Sequence, residues 1–515
     1  MKLYKLLFLL PLLATTSCSL DKEPYGLAGL WATEGNAQKG LDAAYQPFYE
    51  EEGYGRGQWW AGPLSDDMVV NRNKPEIIRL ATFTDRTNTS GGMFDNWTLM
   101  YKVIRRSNDV LSNVPNVTMS EAKKRTMLGE ANFLCAYSYF FLAKRFGGLP
   151  FYDITTPNEY TKPRETKLQT YKNIEAYLLA SIQYFENING AKLWHRTSSD
   201  WGRPNLGAAY GLLAKVYAHW GKFDKCKEYA AKVIDSNEYE LDKTVNAEHI
   251  SGFDHLFSLD GEKNDEVLFN LTNQPVRNNG TITSTVLMSE KLTGGKGWYY
   301  FAPTQSLRDA FKEGDNRRKT TIVGDGDEVT YIGQKFTLST DEKDGNIRDM
   351  STGYMCVKYS NAYKKLAQWQ WESGADVPLL RYADILLLHA EAIMKLAGAD
   401  ASNRNTGVAA AASSFNEVHQ RAGLPYIAAP TFMDLVNERR CELAYEDERH
   451  YDLVRWGLAK EVYASAKDPY AENGVGRSFD EAQDAHMPLP QKELDNSNGI
   501  LINNPAPGYS SFGAN

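Results

Sequence analysis

The densest run of ionisable side chains lies between positions 438 and 456. It sets Glu438, Glu442, Glu446, Asp447, Glu448 and Asp452 among Arg439, Arg440, Arg449 and Arg455. Two carboxylates facing each other across a cleft could hydrolyse a glycosidic bond, provided that one kept its proton near neutrality. The spacing argues against that use. Acids and arginines alternate at three and four residues, which pairs them along and between helices. A neighbouring guanidinium also lowers a carboxyl pKa, the wrong direction for a general acid. The run therefore reads as a structural ion-pair network, costly to break at any one partner even where its net stabilisation is small.

Other catalytic patterns fail on spacing. His389-Ala390-Glu391-Ala392 lacks the second histidine of a zinc-hydrolase helix. Gly294-Gly295-Lys296-Gly297 has no strand-to-helix frame around it, so it fits neither a phosphate loop nor a dinucleotide fingerprint. The acidic stretch 324–328 has the wrong ligand spacing for a calcium loop and reads as a solvated turn. The eight histidines are scattered singly. The sequence thus predicts no catalytic residues, no cofactor and no metal site.

Recognition chemistry is better supplied. Aromatic residues reach 12%, with 30 Tyr and 11 Trp. A sugar offers apolar CH faces and a rim of hydroxyls, so a binder needs flat exposed rings edged by Asp, Asn, Gln or Arg. Trp298-Tyr299-Tyr300 follow the glycine run at 294–297, and three consecutive aromatics on a loop cannot all face inward. Trp59-Trp60 sit in the glycine-rich stretch 53–62, with one of the two expected to pack in the core. Asp67 and Arg72, just beyond, are candidate rim residues. Trp97 shares a helical period with Phe94, Tyr101 and Ile104, but it stands at a helix start beside two glycines and stays a candidate. Trp369 and Trp371 flank Gln368 and Gln370 on a further loop. Trp220 and Trp456 lie on helical stripes and read as core.

Helix pairs must position these loops. A helix capped by Ser120 is expected to reach about Arg145 and stop at Gly147-Gly148. Another is expected to open at Thr170. Residues 206–234 show two apolar stripes hinged at Gly221-Lys222, the pattern of a tetratricopeptide unit. Residues 379–396 and 408–422 look like a second pair, and 432–444 begin a third helical stretch. Between about 250 and 375 the helical period lapses, Gly, Asn, Asp and Thr rise, and short runs such as Val267-Leu268-Phe269-Asn270-Leu271 read as strands or irregular loops. The tail after about 475 is proline-punctuated. The expected fold is mainly α: a tetratricopeptide-like helix-pair scaffold with a long irregular, loop-rich insertion, one domain over 31–515.

Charged residues make up 24% and the net charge is −8, which excludes a disordered chain and gives no basic surplus for gripping nucleic acid. Lys2 and Lys5 precede a short apolar run and the small residues Thr15, Thr16 and Ser17, then Cys18. That is a secretory signal peptide over 1–17, too short to span a bilayer as a helix. It looks like a bacterial lipobox, with Thr15 where Leu is more usual, so that Cys18 would become the lipidated mature N-terminus and 18–30 a polar tether. Cys135, Cys226 and Cys441 lie in helical patterns without metal-ligand spacing and read as buried free thiols.

The run at 438–456 is similar to the E-R-R-x-E-L-x-x-E-x-x-R-x-x-D-L-x-R-W signature of the SusD/RagB family. Pro378 to Ala392, with Arg381-Tyr382-Ala383-Asp384 and Ala390-Glu391-Ala392, resembles a second block of that family. Gly129 to Tyr137 with Phe146-Gly147-Gly148-Leu149-Pro150, Pro303 to Leu307 with Asp315 and Arg317, and Met487-Pro488-Leu489-Pro490 with Asn504-Pro505 resemble three more. Cys135 stands where Arg is common. The resemblance implies a lipid-anchored protein of the outer membrane, facing the cell exterior. It also implies capture of an oligosaccharide, delivered without catalysis to a SusC-like TonB-dependent transporter. Rival readings are a peptide- or glycopeptide-binding member, a surface glycosidase, and a structural scaffold.

Overall fold

The structure is a computed structural model that describes residues 29, 31–155, 161–186, 188, 200–274, 280–364, 366, 368–466, 470, 477–506 and 508–511. Cys18, the leader and most of the tether lie outside the described residues. Hydroxyl caps start the first helices. Thr33, Ser90 and Ser120 open α1 (Glu34–Tyr49), α2 (Gly91–Asn113) and α3 (Glu121–Phe146), each accepting the amide three residues on. Gly147, at a φ of 78°, ends α3 as expected. Helix α4 (Lys167–Glu186) begins one turn before Thr170. The Thr170 hydroxyl is not a cap; it accepts the amide of Leu149 from the neighbouring segment. The hinge at 221 is as read: α5 (Leu206–Trp220) ends on Gly221 in the left-handed region, and α6 (Phe223–Ile234) turns back.

The second pair differs from expectation. Residues 377–381 form a strand, and α7 (Tyr382–Leu396) starts only after Arg381, whose backbone is extended. Pro378 offers no helical amide, and an antiparallel partner at Val267–Leu271 claims this segment. Then follow α8 (Ala412–Arg421), α9 (Phe432–Glu442) and α10 (Arg449–Trp456). From α1 to α8, each helix packs on the next. The contact of α6 with α7 joins residues 223–234 to 382–396, so the insertion is looped out of one continuous helical stack. Gly129 permits close approach within it; a Cβ there would sit 2.6 Å from the Phe185 ring.

The insertion is built from short antiparallel ribbons rather than irregular coil alone. Strand β1 (Met68–Val70) pairs with β3 (Phe301–Pro303), and β2 (Val267–Leu271) with β8 (Val377–Arg381). Strand β4 (Ile322–Gly324) pairs with β7 (Tyr354–Cys356), and β5 (Glu328–Tyr331) with β6 (Gln334–Thr337). A large apolar core runs through the scaffold, and a smaller one, including Met288, Val323, Tyr331 and Met355, lies under the insertion. Cys135, Cys226, Cys356 and Cys441 are free and buried. Among the described residues, no helix is long and apolar enough to cross a membrane.

The charged run at 438–456 locks insertion to scaffold. Arg317 bonds Asp315 at 2.7 Å, Glu438 at 2.6 Å and Glu442 at 2.9 Å. Arg381 bonds Glu266 at 2.7 Å, Glu442 at 2.9 Å and Glu446 at 2.6 Å. Arg421 reaches Glu442 as well, and Arg439 joins Asp384 to Asp452. Burial penalises the charge of Glu442, but Arg421, Arg381 and Arg317 outweigh it and hold its carboxyl well below the usual range. That is the direction the alternation predicts.

Candidate ligand-binding site

Ribbon pairing explains how distant residues meet. In β1 and β3, Val70 faces Phe301, and the amide of Asn71 continues the ladder by donating to the Tyr300 carbonyl at 2.7 Å. The residues after β1 therefore lie beside those before β3. Arg72 comes to rest over the rings of Tyr299 and Tyr300, at 4.7 and 5.1 Å. The loop carrying Trp298-Tyr299-Tyr300 is fixed by its own backbone. Its three amides donate to the carbonyls of Thr285, Met288 and Val286 at 2.7, 3.0 and 2.9 Å. Tyr299 has a φ of 40°, in the left-handed region that a tyrosine rarely adopts. Such a strained residue persists only where its surroundings hold it, often at functional sites.

The loop rings join a wider aromatic group. Trp298 meets Trp371 edge to face, with centroids 5.1 Å apart, and lies 6.0 Å from Tyr300. Tyr300 stands on Trp60 at 5.8 Å. Trp298 and Tyr299 are half-buried, whereas Trp371 is 49% exposed. Arg56 sits over Trp60, Trp298 and Tyr300, at 5.3, 5.8 and 5.1 Å, and donates to the Tyr300 hydroxyl. Lys74 lies 5.9 Å from both Trp60 and Tyr300. Glu51 and Glu52 pair with Arg56 at 2.7 and 2.6 Å. Burial works against the charge of Arg56, and Glu52 and Glu51 overcome it, so its pKa stays above the ordinary value.

Of the sequence candidates, Trp298, Tyr299, Tyr300, Trp371, Arg72 and Trp60 are thus brought together, and four readings need correction. Trp60 is only 3% exposed; its indole N–H donates to Glu52 at 2.6 Å, making it the foundation of the surface and not its face. Trp59 is fully buried against Tyr359 and Phe301 and donates to the Tyr445 carbonyl. Asp67 is buried and bonded to Arg440 at 2.7 Å, so it is a partner in the ion network and no rim residue. Trp369 turns the other way, packing 6.2 Å from Tyr331 in the smaller core. Trp369 and Trp371, two residues apart, thus go to different neighbours.

Trp97 is buried between Tyr101 and Phe146. It lines a separate cavity of about 610 Å³, walled by Tyr101, Arg105, Tyr152 and Glu493. Sequence reading missed Arg56 and Lys74. Arg56 sits in Gly53-Tyr54-Gly55-Arg56-Gly57, where an isolated cation among glycines was an available signal.

Among the described residues, two groupings have the donor types of a metal site. His219, Glu448 and Asp452 are buried together, but Lys144 and Lys215 bond Glu448 and Arg439 and Arg455 bond Asp452, so the carboxylates are already neutralised. Glu248, His249 and Asp260 form the other, with His249 held between Asp254 at 3.3 Å and Asp260 at 2.9 Å.

The stacked helix pairs define a helical scaffold that carries the ring-and-guanidinium surface at the end of one ribbon. Comparison with known proteins places the chain further. The sequence model of the SusD family matches residues 259–509, and a model described as "Starch-binding associating with outer membrane" matches 20–218. The chain belongs to the SusD family. It is 26% identical to SusD-like protein P2 of Formosa agariphila, over 99% of this chain and all of that one. Surface glycan-binding protein A from Bacteroides uniformis superposes with a TM-score of 0.74 at 25% identity, over 93% of this chain and all of that one. The protein of the same description from Bacteroides thetaiotaomicron, in complex with laminarihexaose, gives 0.72 at 22% identity, over 92% and 100%. The mainly α fold expected from the helix pairs is the fold these structures share.

Proposed function

We propose that the protein is a surface glycan-binding lipoprotein of the outer membrane that captures oligosaccharides and delivers them to a SusC-like TonB-dependent transporter. The observation that carries the reading is the edge-to-face pair of Trp298 and half-exposed Trp371 beside Tyr300, with Arg72 over the rings of Tyr299 and Tyr300. An exposed indole suits the apolar face of a sugar ring, and the neighbouring guanidinium suits its hydroxyls. The outer-membrane description of the matched N-terminal region and the glycan-binding relatives support the same reading. Lipid on Cys18, after cleavage of residues 1–17, would tether the domain through 18–30.

Chemistry on the ligand is no part of this reading, because the obvious acids are bonded to buried arginines. The test is binding of the soluble fragment 19–515 to a panel of polysaccharides, with Trp298→Ala and Trp371→Ala alongside. A glycan retained by the wild type and lost in either variant is the expected result. Binding of peptides alone, or release of reducing ends by the pure protein, would contradict it.

A further inference from the structure

The charges around the aromatic surface are unequally matched. Arg56 is neutralised twice over, by Glu51 and Glu52. Arg72 and Lys74 form no ion pair among the described residues. Arg72 instead lies over the ring faces of Tyr299 and Tyr300, at 4.7 and 5.1 Å. Ring-face contact leaves the guanidinium without a carboxylate partner among the described residues. The loop that presents Trp298 adds Lys291 and Lys296, both exposed and without an ion pair among the described residues. Glu76 and Glu290, the acids of the same two segments, pair with none of these four cations. Asp349 accepts the amides of Glu290 and Lys291 and likewise forms no ion pair among the described residues, so what marks these cations is the absence of a paired carboxylate and not a surplus of charge. The buried network differs: there Arg317, Arg381, Arg421 and Arg439 are each held by two or more carboxylates.

Resting on the glycan-binding reading, we propose that the ligand of this surface is an anionic glycan, bearing carboxylate or sulfate groups that pair with Arg72 and Lys74 while Trp298 and Trp371 take the sugar faces. A guanidinium presents parallel N–H groups that match two oxygens of either anion. Lys74, two residues on, supplies a second point charge 5.9 Å from the Tyr300 ring. Uronate and sulfate share this chemistry, and the probes separate them.

Calorimetric titration of the 19–515 fragment would use polygalacturonate oligomers, sulfated carrageenan oligomers and neutral laminarihexaose, each at low and high salt. One acidic probe is expected to bind, roughly tenfold more weakly at high salt because exposed charges are screened. Arg72→Gln and Lys74→Gln should each cost a similar factor, and Trp371→Ala should abolish the signal. Lys74→Gln guards against Arg72→Gln merely disturbing the tyrosines. The acid that binds, uronate or sulfate, identifies the anion. Laminarihexaose binding that is lost in Trp371→Ala but indifferent to salt and to both cation variants would overturn the anionic ligand and leave the glycan site standing. Acidic binding that survives Trp371→Ala and Trp298→Ala would place the charge effect elsewhere and also overturn it. No binding by any glycan would overturn it together with the reading beneath it.

Discussion

The 438–456 network and the aromatic surface both rest on arginine, and they use it in opposite ways. In the network, Glu442 alone serves Arg317, Arg381 and Arg421, and every one of these groups is buried. On the surface, Arg72 lies across two tyrosine rings with no carboxylate opposite, and Trp371 stands half exposed nearby. The first arrangement consumes its own chemistry. The second leaves rings and donors over. Density of ionisable residues in a sequence therefore marks where the fold is fastened, and a shortage of partners marks where a ligand can be received.

The contrast breaks most sharply under mutation of Glu442. Glu442→Ala would take one carboxylate from each of three buried guanidinium groups, a loss of about 3–5 kcal/mol by the usual cost of removing one partner from a buried ion pair. Denaturant unfolding should show this, and a stability equal to wild type would mean the network is not a fastening. Trp60→Ala should come next, at about 3 kcal/mol, because it empties a buried indole site. It should also weaken glycan binding, since Tyr300 stands on that ring. Retained affinity in Trp60→Ala would separate the foundation from the surface.

Acid should act on the network in a defined direction. Glu391, Glu438 and Glu442 all suffer desolvation, which raises a carboxyl pKa, yet the arginines around them leave each one lowered. Their stabilisation is fully present above the unfolded carboxylate value of about 4.3 and is lost as pH falls through the lower folded values. The melting temperature should therefore drop as pH falls below about 4. Melting that did not change across that acid range would contradict the lowered carboxyl pKa values of these three glutamates. The smallest stability effect belongs to Trp371→Ala, within about 0.5 kcal/mol for a half-exposed side chain outside the core.

Much of the fold was legible in the sequence because the signals were local. The Ser120 cap, the Gly221 hinge and the alternation of acids with arginines each sit within a few residues, and each appears in the structure. The apolar run of β2 reads as either a strand or an irregular loop, and nothing local to it reveals its partner. The segment 377–381 carries the same apolar character as the helix that follows, and only pairing with β2 decides between them. The site was partly legible for the same reason. An aromatic triplet behind glycines announces a loop, whereas the pairing of β1 with β3 that delivers Arg72 to it joins segments far apart in the chain. Trp60 and Trp59 could not be ranked, nor Asp67 recognised as an ion partner, because Tyr300, Tyr445 and Arg440 come from distant segments.

The most direct test is a paired titration and melting experiment on the wild-type 19–515 fragment and the Trp298→Ala/Trp371→Ala double variant, using a glycan retained by the wild type. The account expects binding to vanish while the melting curve stays in place, because the rings serve the ligand and not the fold. Undiminished binding by the double variant would show that the ligand site lies elsewhere on the molecule.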